Sequence, residues 1–224
     1  MDMVSHTSSN HNEFLHRFLQ LETSKKPEET LQIFRETTPQ LHPFKFLEHF
    51  PHSWIQYYYD PDPQSTYGVS RQSFSLTEAE TMQKKHFGVF FSVNPFSQAR
   101  KKEHCMGPRA FYMDWDAAKM GDGTSPEEIA ARKVKMLRRL LLLEGTFLPH
   151  VILDTQHGLH AIWMVSGIEQ MDPDMYRNHM EEIIAYFGAD GNAKDVTRVL
   201  RLPGFQQMKD PNNPFLIRLL YIDL

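Results

Sequence analysis

The sequence contains one cysteine, Cys105, among 224 residues. An internal disulfide is therefore excluded, and so is a zinc site built from several thiolates. No stretch approaches the roughly 18 uninterrupted apolar residues that would indicate a transmembrane helix, and the first residues lack the basic and apolar segments of a secretory signal. These absences predict a cytoplasmic protein in a reducing compartment, with no membrane partner.

The sequence also lacks a surplus of positive charge. Lys and Arg number 24 against 28 Asp and Glu, which gives a formal net charge of −4 with neutral histidines. Proteins that bind nucleic acid through bulk charge have a basic balance, so a polyanion site in this chain must be built from a few placed cations. The hydrophobic content of 41%, with 16 Phe, is enough to bury the core of one domain, or of one domain with a small appendage.

Hydrophobic periodicity predicts an alternation of helices and strands. Thr77 with Glu80, and Ser125 with Glu128, have the spacing of a capping box, and Gly145 stands where the second of these helices should end. Alternating elements with a hairpin-like pair in the middle predict an α/β or α+β domain. The predicted helices are at 14–19, 27–34, 77–85, 125–144 and 172–187, and the predicted strands at 88–93, 111–113, 151–153, 159–165, 215–217 and 219–221.

The pattern of predicted helices, strands and turns divides the chain into two regions. Residues 1–80 contain two short amphipathic helical patterns and an aromatic, proline-punctuated stretch at 43–63, which predicts extended structure ending in turns. Residues 81–224 carry the regular alternation of helices and strands. We therefore predict a helical and aromatic amino-terminal extension, 1–80, followed by the main α/β unit, 81–224.

Asp114 and Asp116 are separated by one residue at the end of a predicted strand. Alternate residues of a strand project from the same face, so both carboxylates should point to one spot. Two aspartates this close repel each other unless a cation lies between them, and Mg²⁺ or Mn²⁺ suits such hard oxygen ligands. Taken alone, the pair is explained more simply as two solvated aspartates. A third carboxylate downstream, Asp195, favours a metal site, although it can also be an ion-pair partner of the neighbouring cations.

Groups suited to phosphate recognition follow in later segments. The segment from Thr155 to His160 joins two predicted strands. A histidine at the start of the second strand can reach the face of Asp114 and donate to a phosphate, and packing in the core is the alternative. Arg198 and Arg201 carry guanidinium forks that match phosphate oxygens and keep their charge at any working pH.

Other basic groups are less distinctive. Lys209 follows the two arginines, and Arg100 lies in a charged run before the first aspartates, where a solvated loop explains it equally well. The helix predicted at 125–144 carries five basic residues that we assign to its solvent-exposed face: Arg132, Lys133, Lys135, Arg138 and Arg139.

The order of these segments resembles the archaeo-eukaryotic primase superfamily, and in particular the primase-polymerases of plasmids, phages and integrated mobile elements. The resemblance spans about residues 87–221. Four segments carry it, of which the last is the most specific: 88–95, 112–116, 155–163 and 195–204. The chain departs from the family pattern at Gln156 and His157, which replace two glycines, and at Gln207, where an asparagine is common.

The resemblance implies a catalytic core, here 81–224, in which an RNA-recognition-motif-like sheet packs against a second α/β unit. It implies two-metal-ion catalysis, in which Asp114, Asp116 and Asp195 are catalytic and hold two ions of Mg²⁺ or Mn²⁺. It also implies nucleotide-binding roles for six further residues: His160, Arg198, Arg201, Thr155, Lys209 and Arg100.

The activity implied by the resemblance is template-dependent DNA synthesis, as primase and polymerase, from NTPs or dNTPs on single-stranded DNA. Replication of the DNA of a mobile element is the implied setting, and a helicase or helical initiation domain, downstream or in trans, is the implied partner. Two other interpretations of the residues stay open. A metal-dependent nuclease or replication-initiator protein would use the same carboxylates, and a non-catalytic module would bind single strands through exposed aromatic side chains.

Overall fold

The structure, a computed structural model, describes residues 9–62, 64–65, 67–120, 125–143 and 147–224. No helix within these ranges is long and apolar enough to cross a membrane. The α-helices are α1 (Ser9–Ser24), α2 (Pro27–Thr37), α3 (Pro43–Glu48), α4 (Leu76–Lys84), α5 (Pro126–Leu141) and α6 (Pro173–Phe187). The strands are β1 (Ile55–Tyr59), β2 (Gly68–Arg71), β3 (Phe87–Ser92), β4 (Ala110–Asp116), β5 (Val151–Asp154), β6 (Gly158–Met164), β7 (Val199–Arg201), β8 (Gln206–Gln207), β9 (Phe215–Leu216) and β10 (Arg218–Ile222).

The described strands form two four-stranded sheets and one short ribbon. The first sheet has the order β2-β1-β3-β7, the second has the order β10-β5-β6-β4, and β8 pairs with β9. All of these pairings are antiparallel. Antiparallel sheets combined with helices make an α+β fold, so the predicted fold class is confirmed.

Two hydrophobic cores lie on opposite faces of the second sheet. The core between the sheets contains Phe91 from β3 and Ile162 from β6, together with Tyr176 of α6. The core behind the second sheet contains Trp115 of β4 and Leu137 of α5, with side chains from α1 and α2. The second sheet is therefore the middle layer, between the first sheet on one side and α1, α2 and α5 on the other.

Side-chain caps set the helix starts near the site. Ser125 makes a full capping box with Glu128 at the start of α5, as predicted. The capping box predicted at Thr77 is wrong, because Ser75 caps α4 and its hydroxyl accepts a hydrogen bond from the Glu78 amide. Ser75 offers the same capping chemistry two residues earlier, which the hydrophobic pattern does not distinguish. The predicted end of α5 at 144–145 lies outside the described residues.

Strands from both sides of residue 80 share the first sheet. β1 pairs with β3 from Ile55 opposite Phe91 to Tyr59 opposite Phe87. The region before residue 81 thus supplies β1 and β2 to the sheet that covers the inter-sheet core, and its helix α2 packs against α5 and β10. The division into 1–80 and 81–224 stays a prediction.

Candidate active site

A cleft of about 520 Å³ opens between the two sheets. Strands β1, β3, β4, β6 and β7 contribute to its walls, together with the turn at 155–158 and the loop at 190–198. The cleft brings together all nine residues that the sequence analysis singled out: Asp114, Asp116, Asp195, His160, Arg198, Arg201, Thr155, Lys209 and Arg100.

The alternation of β4 aims its two aspartates into the cleft. Ala110 and Tyr112 lie in the core between the sheets, whereas Met113 packs in the core behind the second sheet. Since side chains alternate along a strand, Asp114 and Asp116 fall on the face toward the first sheet. They lie where the inter-sheet core ends and the cleft begins.

Asp114 is the centre of a charged cluster on the cleft floor. It lies opposite His160 in the register of β4 and β6. Its Oδ1 is 3.4 Å from His160 Nε2, and its Oδ2 accepts a hydrogen bond from Arg198 Nη2 at 2.7 Å. Burial alone would raise the pKa of Asp114, but His160 and Arg198 outweigh it and hold the pKa well below its usual range. The carboxylate is therefore ionised at any ordinary pH.

Asp190 belongs to the same cluster and was missed by the sequence analysis. Its backbone amide donates to the carbonyl oxygen of Asp114 at 2.8 Å. Its Oδ2 is 3.6 Å from Arg198 Nη2 and 3.9 Å from Lys119 Nζ. The available signal was its place in the loop between Gly188, which ends α6 in the left-handed conformation, and the arginine motif.

The carboxylates of Asp116 and Asp195 each stabilise a local turn. Asp116 Oδ1 accepts a hydrogen bond from the amide of Ala118 at 2.9 Å and caps a short 3-10 helix. Asp195 is exposed at the rim, where its Oδ1 accepts from the amide of Thr197 at 2.8 Å and also from the Thr197 hydroxyl. Tyr112 fixes the backbone of this turn by donating to the carbonyl oxygen of Asp195 at 2.8 Å.

The carboxylates provide the chemistry that a divalent metal requires, but in this arrangement they do not enclose one. Within the described ranges, no group of three or more His, Cys, Asp or Glu side chains is close enough to hold a metal ion. The guanidinium of Arg198 instead contacts both Asp114 and Asp190. The positive charge of Arg198 thus lies between these two carboxylates and compensates their negative charge.

The turn at 155–158 approaches β4 closely. The amide of Gly158 donates to Thr155 Oγ1 at 3.1 Å, and the amide of Thr155 donates to the Gly158 carbonyl oxygen at 3.1 Å. A Cβ at position 158 would overlap the carbonyl oxygen of Trp115. Gly158 is therefore required, whereas Gln156 and His157 are accommodated.

The cations of the cleft differ in how firmly they are held. Arg100 donates to the Thr197 carbonyl oxygen at 2.6 Å and to the Tyr58 hydroxyl at 2.8 Å. Arg201 makes a two-pronged ion pair with an aspartate outside the predicted set, whereas Lys209 is exposed at the rim. The guanidinium groups of Arg100 and Arg201 are thus already bonded to the protein.

Several buried nitrogen atoms around the cleft have no hydrogen-bond partner among the described residues. They include Arg100 Nε, Arg198 Nε and His160 Nδ1. Buried polar atoms in native proteins are almost always paired, so these three atoms are exceptions in the packing around the cleft.

Lys133 corrects the prediction that the basic residues of α5 are solvated. Its side chain is only 2% exposed, and its Nζ lies 2.8 Å from Asp154 Oδ1. Asp154 Oδ2 in turn accepts from Arg35 Nε at 2.6 Å, and Lys133 also donates to the Thr155 carbonyl oxygen. Lys133 follows Ala130 by three residues, which places it on the buried stripe of the helix rather than opposite it. This sealed cluster lies directly beneath the turn at 155–158.

Comparisons with known proteins point to replication primases. Residues 137–223 match the family described as the RepB DNA-primase N-terminal domain. The chain is also 22% identical over 141 residues to a replication protein of Clostridium perfringens, and this match covers 61% of the chain and 33% of that protein. The chain therefore spans about a third of the length of this curated relative.

Two solved structures share the fold. The archaeo-eukaryotic primase domain of the primase-polymerase of cyanophage S-2L has a TM-score of 0.56 at 15% identity, over 81% of this chain and 90% of that one. The primase RepB′ has a TM-score of 0.50 at 14% identity, over 79% of this chain and 54% of that one. Together with the family match over residues 137–223, this shared fold agrees with the resemblance seen in the four sequence segments: the chain has the fold of archaeo-eukaryotic primase domains, and its carboxy-terminal part is similar to RepB-type replication primases.

Proposed function

We propose that the chain is a template-dependent DNA primase and polymerase that transfers nucleotidyl groups from NTPs or dNTPs along single-stranded DNA, with Mg²⁺ or Mn²⁺. The observation that carries the proposal is the meeting of nine predicted residues, from five separate stretches of sequence, in one cleft. Replication of the DNA of a mobile element in the cytoplasm is the proposed setting.

The carboxylate side of the cleft is proposed to hold the metal. Asp114 and Asp116 would be two of the ligands, and Asp190 would be the third because it shares Arg198 with Asp114. Asp195, the third ligand implied by the resemblance, bonds within its own turn, as Asp116 also does, but it lies exposed at the rim and not beside Arg198 as Asp190 does. The chemistry that two ions held there would supply is activation of the attacking 3′-hydroxyl and stabilisation of the leaving pyrophosphate.

The cationic side is proposed to hold the triphosphate. The side chains of Arg198, Arg100 and His160 line the cleft. Each can donate to a phosphate oxygen, and Lys209 adds positive charge at the rim. The protein's own contribution is to position the phosphates and to stabilise their charge, which dominate phosphoryl chemistry.

Template binding is proposed to rely on partners as well as on this chain. A net charge of −4 offers little general attraction for a polyanion, since affinity for DNA comes largely from neutralising phosphates. A helicase or a helical initiation domain, in the same protein or in trans, would supply the missing contacts.

The test is an extension assay on single-stranded DNA with labelled nucleotides and Mn²⁺, with and without a primer. Asp116→Ala should abolish incorporation, whereas Asp174→Ala, which removes an exposed aspartate outside the cleft, should leave it unchanged. Cleavage of the strand without triphosphate would favour a nuclease. Metal-independent strand binding without incorporation would favour a binding module, and either result would overturn the proposal.

A second measurement assigns the third carboxylate. Mn²⁺ affinity should fall in Asp190→Asn and stay near the wild-type value in Asp195→Asn, because only Asp190 shares a cation with Asp114. The reverse pattern would restore Asp195 as the metal ligand.

A further inference from the structure

Asp60, which follows β1 directly, is a buried acceptor that the sequence analysis did not single out. Its Oδ2 lies 2.9 Å from Arg201 Nη1, and its Oδ1 lies 2.8 Å from Arg201 Nη2. Its Oδ2 also accepts from the backbone amide of Met208 at 2.7 Å. One carboxylate therefore receives three hydrogen bonds, from β7 and from the segment after β8.

The neighbourhood is shaped to hold this ion pair. The Arg201 guanidinium lies over the ring of Phe90, 4.6 Å from its centroid, and both charged side chains are less than a tenth exposed. A Cβ at position 88 would come within 2.7 Å of Asp60 Oδ2 and 2.8 Å of Arg201 Nη1. A side chain at position 88 would therefore force the ion pair to shift, which gives a reason for the glycine that opens the first family segment.

The pair is connected to the cleft through the segment that Met208 anchors. Gln207, just before it, accepts a hydrogen bond at its Oε1 from the amide of Gln156 at 3.2 Å. Lys209, just after it, lines the rim of the cleft. Asp60 thus fixes the backbone between Gln207, which contacts the turn at 155–158, and Lys209, which is a cation of the proposed triphosphate site.

We propose that Asp60 and Arg201 form a positioning pair, in which Arg201 acts through Asp60 to place Gln207 and Lys209 against the turn at 155–158. Arg201, which is 9% exposed and holds Asp60 with both of its Nη groups, then acts as a positioning residue rather than as a phosphate ligand. The inference rests on the proposed nucleotide site and assigns it a residue from the amino-terminal 80, Asp60.

The test compares the affinity of a fluorescent nucleoside triphosphate, with Mn²⁺, across Asp60→Asn, Arg201→Gln and the double variant. A positioning pair predicts that the two single variants lose affinity by similar factors of about 10-fold to 100-fold, the range for groups that orient ligands from outside. The double variant should lose little more than either single one, because both changes break the same interaction. If Arg201 were a phosphate ligand, Asp60→Asn would release its guanidinium, and only Arg201→Gln would lose affinity.

Asp60→Glu tests the inference without removing a buried charge. It keeps the ion pair but lengthens one side chain, so the folded protein should still lose nucleotide affinity because the anchored segment shifts. Wild-type affinity in Asp60→Glu, combined with a loss in Arg201→Gln, would overturn the positioning role. Arg71→Gln and Glu78→Gln remove the members of a surface ion pair outside the cleft and should bind like the wild type.

The controls also separate this inference from the proposed function. A wild-type protein that binds no triphosphate with Mn²⁺ would overturn both. Binding that depends on Arg198 and on Arg201 but is unaffected at Asp60 would leave the proposed site in place and overturn the positioning pair alone.

Discussion

Arg198 and Arg201 lie three residues apart in one motif, yet their surroundings are opposite. Arg198 is 30% exposed and is shared between Asp114 and Asp190 in an open cleft. Arg201 is 9% exposed and makes a two-pronged pair with Asp60. A cation that exchanges partners needs solvent access, whereas a sealed pair cannot separate without leaving a buried charge unpaired. The difference distinguishes an arginine that can contact a ligand from one that positions the segment around it.

The same contrast separates two aspartates of the second sheet, on the strands β5 and β4 that flank β6. Asp154 is fully buried between Lys133 and Arg35, whereas Asp114 is about a quarter exposed beside Arg198. Sealed clusters of this kind should act on stability and on the position of the segments they hold, and open ones should act on ligands and chemistry directly. Changes to each class test this division.

The largest effect is expected for Asp114→Asn in the open cluster. Nucleotide incorporation should fall by about 1000-fold or more, the scale on which a lost electrostatic contribution to a transition state is felt. A cooperative thermal transition should persist, since the change opens no cavity in either core. Loss of the thermal transition would mean that the open cluster is structural after all.

Asp154→Leu should mainly affect the sealed cluster. Removing the shared carboxylate leaves Lys133 and Arg35 buried without their partner, so the free energy of unfolding should fall by about 3–5 kcal/mol. Urea denaturation measures it, and Lys45→Ala, which breaks a surface pair with Glu48, is the matched control with a change of less than about 1 kcal/mol. If the free energy of unfolding of Asp154→Leu decreased only slightly, this buried cluster would contribute no more to stability than the partly exposed cluster around Asp114.

Arg198→Gln should tighten Mn²⁺ binding in the absence of nucleotide by about tenfold, which corresponds to about 1.4 kcal/mol. The reason is that the guanidinium competes with the ion for Asp114 and Asp190. The signal of unbound Mn²⁺ in electron paramagnetic resonance gives the affinity. Lys119→Gln, which removes a more exposed and distant cation, should change it little. Equal or weaker binding in Arg198→Gln would contradict this competition.

The smallest effect is a pH dependence of stability at Asp114. Because the fold lowers the pKa of this carboxyl, its stabilising contribution is present above the unfolded pKa of about 3.9 and is lost as the pH falls below it. Lowering the pH from neutral to about 3 should therefore reduce the free energy of unfolding of the wild type more than that of Asp114→Asn. Urea denaturation at the two pH values measures the difference, and a constant difference would rule out the linkage.

The sequence by itself determined the features that depend on near neighbours. Strand alternation puts Asp114 and Asp116 on one face whichever strands lie beside β4, and the capping box at Ser125 closes within four residues. The fold class and the set of residues that meet in the cleft could be predicted for the same reason, because each segment carries a local pattern that matches a family.

Only the tertiary structure decided which charges are paired. Arg198 and Asp114 are 84 residues apart in the chain, and Arg201 and Asp60 are 141 apart. Packing of loops and helices across the sheets places Asp190 beside Asp114. The same packing buries the charged cluster beneath the turn at 155–158. Whether a charge binds a ligand or holds the fold depends on its exposure and on its partner, and both are properties of packing between distant segments rather than of local sequence.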